Sequence, residues 1–359
     1  MKLACYQYQL PFNEPLKNSG RIYYERKGII FVLSSSGKKY YGEAAPLPGF
    51  SNETFEQLAP VVTSQHQQWL NMLSSPSPLK QLQNYYKARE TAPSLQFALD
   101  SVATQLEAQQ AGKKISTFLF GHTHSKITVN GLVPLLQEAS PITAIQELTR
   151  DGFNTVKCKV GRNFKREYEQ LTRIRYLFPD LRIRVDANRA WTLEEAATRL
   201  KTLEPIGIEY CEEPLRHPSP SAYDKLRRET SVPLALDESV NIEPNWADLL
   251  DSCSILILKP MVIGSFSTLF TIRQQARATG CKIVFTSSLE SSIGRMITAA
   301  LALGMGASDY AHGLATGSVL SEDFASNLPN IHSGSIRADE LDFGTINPTL
   351  IASKAKTIR

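Results

Sequence analysis

The run Thr155-Val-Lys-Cys-Lys-Val160, continued by Gly161 and Arg162, sets two lysines inside what otherwise reads as a buried strand. Side chains alternate across a strand, so Val156, Cys158 and Val160 take one face while Lys157 and Lys159 share the other. Two ammonium groups on one face repel each other, and partial burial penalises charge further. One of the pair should therefore release its proton more readily than a free lysine, whose pKa is ~10.4. Such a strand either blunts a sheet edge with a solvated lysine face or presents an amine base. The rest of the chain separates the two readings.

Outward from this strand, short apolar runs alternate with amphipathic helical stretches: KITVNGLV, TVKCKV, LRIRVDAN, GIEYCEEP, VPLALDES, SILILKP, KIVFTSS and SDYAHG. The first seven runs and the eighth, SDYAHG, make eight βα-type units. Polar or charged residues end the runs, and Lys159, Asp186, Glu212, Asp237, Lys259 and Thr286 follow one another at intervals of 22 to 27 residues. Strand, loop, helix and return turn need about that length in an eightfold parallel barrel of ~250 residues or fewer. The C-terminal ends of all strands converge there on one mouth, so distant residues become neighbours. Before the barrel, residues 1–50 read as an antiparallel meander with Ser36-Gly37-Lys38 at a hairpin tip. Residues 55–112 read as helical, with Leu95, Leu99, Val102 and Leu106 at helical spacing and Gly112 at the end. The expected fold is α/β: a modified (β/α)8 barrel preceded by an α+β unit.

Asp186, Glu212 and Asp237 end three successive strands. Carboxylates gathered without His or Cys favour a hard, oxygen-seeking cation, Mg²⁺ or Mn²⁺. The lysine pair ends the strand before them and Lys259 the strand after, so amines face each other across the expected metal. The chemistry this set supports is enolisation: a divalent ion holds a substrate carboxylate, a neutral lysine takes the proton from the adjacent carbon, and positive charge stabilises the resulting anion. Singly, each acid reads as a turn or helix cap; their placement at matching strand ends points to a site.

With these residues in view the chain resembles the enolase superfamily, muconate-lactonizing subgroup, over nearly its whole length. The motifs are Lys157-x-Lys159, Asp186-Ala-Asn188, Glu212-Glu213-Pro214, Asp237-Glu238-Ser239 and Lys259-Pro260, in the family's order. The resemblance implies a capping domain over 1–125, a catalytic barrel over 126–320 and a segment 321–359 that packs back on the cap. It implies Asp186, Glu212 and Asp237 as Mg²⁺ ligands, Lys159 as the proton-abstracting base with Lys157 beside it, and Lys259 as the lysine of the opposite face. GEAAPLPGFSNET (42–54), TSSLESSIG (286–294), Arg184-Val-Asp186 and Asn188-Arg189-Ala190-Trp191 are most similar to o-succinylbenzoate synthases. These menaquinone-pathway lyases dehydrate 2-succinyl-6-hydroxy-2,4-cyclohexadiene-1-carboxylate to 2-succinylbenzoate. N-acylamino acid racemase, dipeptide epimerase and cycloisomerase activities belong to the same superfamily and stay open, because lysines stand on both faces. A non-enzymatic binding protein on the same barrel is the alternative from another class.

The loop 42–54, stiffened by Pro46 and Pro48 and carrying Phe50, reads either as a lid over the pocket or as a plain connection. Ser287, Ser288, Ser291, Ser292 and Gly294 lie between a strand end and a helix; their backbone N–H groups either receive a second substrate carboxylate or are capped locally. Asn130 ends the first barrel strand and either closes a turn or, with Asn188, Ser287 and Ser288, lines the pocket, which is the expectation adopted for substrate binding. His122-Thr123-His124 precedes its strand and falls near the wrong end of the barrel for a metal-dependent hydrolase. His312 either reaches the mouth or serves as a structural histidine.

A chain of 359 residues, 42% hydrophobic and 21% charged, is that of a folded protein with a large core. No apolar run approaches the ~20 residues of a membrane span, and MKLACYQYQLPF lacks the features of a signal peptide, so a cytoplasmic location is expected. The five cysteines are scattered in apolar runs and read as reduced core thiols. A net charge of +4 with interleaved signs argues against nucleic-acid and membrane partners and suits a small anionic carboxylate substrate. No G-x-G-x-x-G, P-loop or G-x-S-x-G motif is present. Oligomeric state is not encoded in any feature read above.

Overall fold

Three long strands open the chain: β1 (Lys2–Asn18), β2 (Arg21–Ser35) and β3 (Lys38–Ala44), joined antiparallel with the turn at Ser36 and Gly37. The computed structural model describes residues 1–18, 21–133, 136, 141–325 and 328–358. Helices Phe55–Leu73, Pro78–Ala88 and Pro93–Gln110 cover one face of this sheet. Their apolar stripes enclose Trp69, Leu73, Leu82, Leu95 and Leu99, all essentially inaccessible to solvent. Gly42 lets β3 lie directly on the third helix, since a Cβ there would stand 2.2 Å from the Ala98 carbonyl oxygen. At the other end of the chain, the strand Ala355–Thr357 adds to β1, so the tail returns to the first sheet.

The barrel begins after the short strand β4 (Lys126–Thr128), which pairs antiparallel with Ser335–Arg337. Seven parallel strands follow in sequence order: β5 (Gly131–Leu132), β6 (Thr155–Lys159), β7 (Arg182–Asp186), β8 (Ile208–Glu212), β9 (Leu234–Leu236), β10 (Ile255–Leu258) and β11 (Lys282–Phe285). The eighth position, expected at SDYAHG, is filled by two isolated parallel bridges, Val129–His312 and Thr286–Gly313. His312 N donates to Thr128 O, and Gly313 N donates to Phe285 O, so this segment links the first and last barrel edges. It is too short for a full strand because the chain turns away after Gly313.

Helix starts follow the turn chemistry of the βα loops. Asn163, Ser219 and Ser265 accept backbone N–H bonds at their helix N-termini, and Thr192 with Glu195 forms a capping box. The helix Ser292–Met305 differs, because all fourteen of its residues are buried. It lies between the barrel, β3 and the short helix Ile115–Phe120, at the seam of the two sheets' territories. Among the described residues no helix is long and apolar enough to cross a membrane.

Candidate active site

Strand register builds the mouth. Lys157 stands opposite Arg184, and Lys159 opposite Asp186; Arg184 in turn faces Tyr210, and Asp186 faces Glu212. The inward face of β6–β8 therefore carries two layers. The deeper layer holds Arg184, fully buried, stacked 4.7 Å over the Tyr210 ring and donating to Ala311 O at 2.6 Å and to Glu209. The upper layer holds Lys159, Asp186 and Glu212. Asp237 follows β9 directly and Lys259 follows β10, so all the expected strand-end residues arrive at the same mouth.

The three carboxylates are 1 to 3% exposed. Lys157 spans two of them, with Nζ 3.0 Å from Asp186 Oδ2 and 2.9 Å from Glu212 Oε1. Lys259 Nζ bonds Asp237 Oδ1. Burial pushes Glu212 well above the usual carboxylate range, opposed by Lys157 and reinforced by Asp186 and Asp237. Burial also pushes Asp237 upward and is the largest single influence, but Lys259, Lys157 and its hydrogen bonds together outweigh it and the net direction is down.

The lysines separate by the same balance. Burial lowers all three, yet Asp186 and Glu212 raise Lys157, and Asp237 and Glu238 raise Lys259, so both end above a free lysine. Lys159 ends below it, because burial and the neighbouring Lys157 charge together exceed the pull of Asp186. One lysine of depressed pKa is what two amines on a shared strand face lead to, and Lys159 is that lysine. Burial, rather than repulsion alone, is the larger cause.

Whether this set suits a hard cation follows from its chemistry. The donors are carboxylate oxygens, desolvated and mutually repelling, and Glu238 Oε2 is buried beside them without a hydrogen-bond partner among the described residues. That is the environment a divalent cation neutralises. With the side chains as they stand, Lys157 lies between Asp186 and Glu212, and the described residues hold no group of three already spaced for a metal.

Several supporting residues escaped the sequence reading. Glu213, the second acid of Glu-Glu-Pro, turns the other way at φ 43° and is fully buried. It accepts from Asp237 N at 2.9 Å, Ser239 N at 2.7 Å and the Arg189 guanidinium at 3.2 Å, which fixes the loop carrying Asp237. Asn241 donates to Asp237 Oδ1 at 2.9 Å and accepts from Lys259 N at 2.9 Å, tying acid and amine to one frame. The signal available was side-chain parity: Glu212 and Glu213 must face opposite ways at a strand end.

Of the residues expected to line the pocket, Asn188 donates to Glu238 Oε1 at 3.0 Å, at the rim. Asn130 is buried at the bridge that closes the barrel, where its N–H donates to His312 O and its Oδ1 lies 3.5 Å from Arg184 Nη1. Ser287 Oγ pairs with Thr316 Oγ1, while Ser288 Oγ is buried without a partner among the described residues. The backbone N–H groups beside them are not free for a substrate. Ser291 N and Gly294 N donate to Glu43 at 2.9 and 2.8 Å, Ser292 N to Asp323 at 2.8 Å, and Ser288 N to Glu290. Ser291 Oγ caps Ile293 N and Glu290 takes Ser288 N, as local capping requires, but the N–H groups of Ser291, Ser292 and Gly294 are closed by the distant carboxylates Glu43 and Asp323. Gly294 admits Glu43, since a Cβ there would stand 3.0 Å from Glu43 Oε2.

The loop after β3 reaches the mouth. Arg26 holds it by donating to Pro46 O at 2.6 Å and to Ala45 O, and Tyr23 donates to Pro48 O at 2.7 Å. Phe50 is thereby set over Lys259, its ring centroid 4.6 Å from Nζ. His312 is structural: fully buried, it accepts from Phe285 N at 2.9 Å, and burial holds it down at about 3. His122 and His124 line a cavity at the opposite end of the barrel.

Comparison with known proteins agrees with this geometry. The family model "Enolase C-terminal domain-like" matches residues 142–344, and "MenC, N-terminal domain" matches residues 1–107. The o-succinylbenzoate synthase of Haemophilus influenzae is 30% identical, over 80% of this chain and 82% of its own. The muconate lactonizing enzyme from Pseudomonas fluorescens, solved with muconolactone, has a TM-score of 0.85 at 18% identity, covering 99% of this chain and 98% of its own. The dipeptide epimerase from Cytophaga hutchinsonii, solved with Mg and D-Ala-L-Val, has a TM-score of 0.77 at 24% identity, covering 93% and 92%. Proteins of this superfamily depend on a divalent metal. The chain belongs to the enolase superfamily and, within it, to the o-succinylbenzoate synthase family.

Proposed function

We infer that this protein dehydrates 2-succinyl-6-hydroxy-2,4-cyclohexadiene-1-carboxylate to 2-succinylbenzoate, with Lys159 as the acid–base group. The observation that carries this reading is the division of the mouth lysines: two held charged by carboxylates, and Lys159 alone shifted toward the neutral amine. A divalent cation, Mg²⁺ in this reading, would be held by Asp186, Glu212 and Asp237, where it would orient the substrate carboxylate and draw off negative charge. Lys159 removes the proton from the carbon bearing that carboxylate. The β-hydroxyl then leaves as water with the proton returned from Lys159, so a single acid–base group serves both halves of the elimination. Lys259, kept charged by Asp237 and covered by Phe50, acts as a fixed positive charge on the opposite side.

A single acid–base group suffices for the lyase, whereas racemase and epimerase chemistry uses a proton donor and an acceptor on opposite faces; the likeness to o-succinylbenzoate synthases over most of the chain favours the lyase. Asn188 and Ser288 are assigned to substrate contact in the same reading, supported by the rim position of Asn188 and by the buried Ser288 Oγ, which has no partner among the described residues. Asn130 and Ser287 act behind them, on the closing segment around His312 and Gly313. The division into a cap (1–125 with 321–359) and a barrel (126–320) is supported by the pairing of Ala355–Thr357 with β1.

Ultraviolet-monitored turnover of the cyclohexadiene substrate tests the assignment. Conversion with Mg²⁺ that stops in EDTA and in Lys159→Ala is expected. Absence of conversion by folded, metal-loaded protein would reject this substrate.

A further inference from the structure

Far from the mouth, at the N-terminal ends of the barrel strands, two cysteines 28 positions apart come together. Cys253 lies just before β10 and Cys281 just before β11. Ile255 pairs with Lys282, and Lys282 N donates to Ser254 O at 2.9 Å, which locks the two cysteines side by side. Their sulfurs are 3.7 Å apart. In this register Cys281 stands opposite Ser254 and Cys253 lies one residue diagonal to it. With strands ~4.8 Å apart and a rise of ~3.3 Å per residue, that diagonal falls within the Cα separation of roughly 4.4–6.8 Å that a disulfide tolerates.

Access and activation are also present. Cys281 lines a cavity of about 460 Å³, together with His122, His124, Arg273, Arg277 and Lys282. Thr279 Oγ1 donates to Cys281 Sγ at 3.3 Å. Hydrogen bonds from Cys253 and Thr279 bring the Cys281 thiol down to about 7. Cys253 is pushed up by that same contact and by burial, while burial alone lifts Cys5 and Cys158 to about 12. Thiolate character and access together decide which cysteine reacts; Cys281 is only 9% exposed but forms part of the cavity wall, whereas the half-buried Cys253 does not line it.

We propose that Cys281 and Cys253 form a hydroperoxide-reactive dithiol at the bottom of the barrel, with Cys281 as the attacking sulfur and Cys253 as the resolving one. In the first step the Cys281 thiolate attacks a peroxide oxygen; an S–O bond forms, the O–O bond breaks, and hydroxide leaves and takes up a proton. In the second, Cys253 attacks the sulfenic sulfur; an S–S bond forms, the S–O bond breaks, and water leaves. Two thiols are oxidised by two electrons, one peroxide is reduced to two waters, and a small dithiol reductant reverses the sulfur chemistry. Lys282 is paired with Asp309 on the cavity wall, which leaves Arg273 and Arg277 to admit anionic hydroperoxides as well as hydrogen peroxide.

The test uses the full chain, native and reduced, with hydrogen peroxide as the probe. Intact mass should fall by two hydrogens, and a digest under non-reducing conditions should yield one peptide pair joining Cys253 to Cys281, restored by dithiothreitol. Cys253→Ser should stop at a sulfenic acid on Cys281 that dimedone traps. Cys281→Ser should react at least about tenfold more slowly. First reaction at Cys5, Cys158 or Cys211, or wild-type oxidation that proceeds to sulfinic acid without a cross-link, would overturn the proposal. The wild-type peptide map decides the matter even where a serine variant folds poorly.

Discussion

Two buried carboxylate clusters sit within the same barrel end, and they are satisfied in different ways. At the mouth, Asp186, Glu212 and Asp237 face the ammonium groups of Lys157 and Lys259. At the seam with the first sheet, Glu43, Glu290 and Asp323 face backbone N–H groups, hydroxyls and the Arg295 guanidinium, which lies 2.7 Å from Asp323. A backbone donor cannot move without unwinding its helix, whereas a lysine on four rotatable carbons can swing away. Partner type thus separates acids that can exchange an amine for a cation or substrate from acids that hold two parts of the fold together. Burial alone does not distinguish them.

The comparison breaks most visibly at Lys159. Lys159→Ala should lower turnover by at least about 10²–10⁴-fold, the usual worth of a positioned acid–base group, while thermal melting stays close to wild type. A comparable loss of melting temperature would mean that the mouth, too, is structural. Asp186→Asn sharpens the same point: it should weaken Mg²⁺ binding, measured calorimetrically, far more than it lowers metal-free stability, because relief of repulsion on Glu212 offsets the lost ion pair with Lys157.

Glu43→Gln should show the reverse pattern. Glu43 accepts from Ser291 N, Ser291 Oγ, Gly294 N and Tyr8 OH across the seam. Replacing a carboxylate that accepts several such bonds costs about 2–4 kcal/mol, which urea unfolding can read. Magnesium affinity should be unchanged. Equal effects on metal binding and stability would dissolve the distinction between the clusters.

Much of this was legible in the sequence wherever the information is local or periodic. Strand alternation placed Lys157 and Lys159 on one face, and the 22-to-27-residue interval brought Asp186, Glu212 and Asp237 to one end. Long-range partners were not legible. Ser291 and Gly294 look like open N–H groups until Glu43, 248 and 251 positions earlier, closes them. Cys253 and Cys281 look like scattered core thiols until strand order makes them neighbours. Nor does a sequence reveal which of two lysines two positions apart keeps its proton, since that depends on which carboxylates each one touches in the folded barrel.

The seam makes a further prediction in pH. Burial raises Glu290 from the carboxylate range to about 7. A carboxyl whose folded pKa lies above its unfolded value binds an extra proton in the native state. Its stabilisation is complete below the unfolded value, near 4.5, and is lost as pH rises through about 7. The wild type should therefore lose on the order of 3 kcal/mol from this group between those limits, and Glu290→Gln should flatten that slope in urea unfolding. An unchanged slope would mean that Thr298 and Ser288 N, its two donors, stabilise the charged form enough to offset burial.

The smallest effect is expected where the two regions touch. Phe50 belongs to the loop anchored by Arg26 on the first sheet, yet its ring lies over Lys259 at the mouth. A cation over an aromatic face contributes about 0.5–2 kcal/mol depending on desolvation. Phe50→Leu keeps the apolar contact with Leu47 and Val262 but removes the ring's electrostatic attraction. If Lys259 is a fixed charge, the variant should reduce kcat less than about tenfold and leave the pH profile of turnover where Lys159 sets it. If the profile shifts instead, Lys259 takes part in proton transfer, and the single-base elimination must give way to a mechanism using both faces.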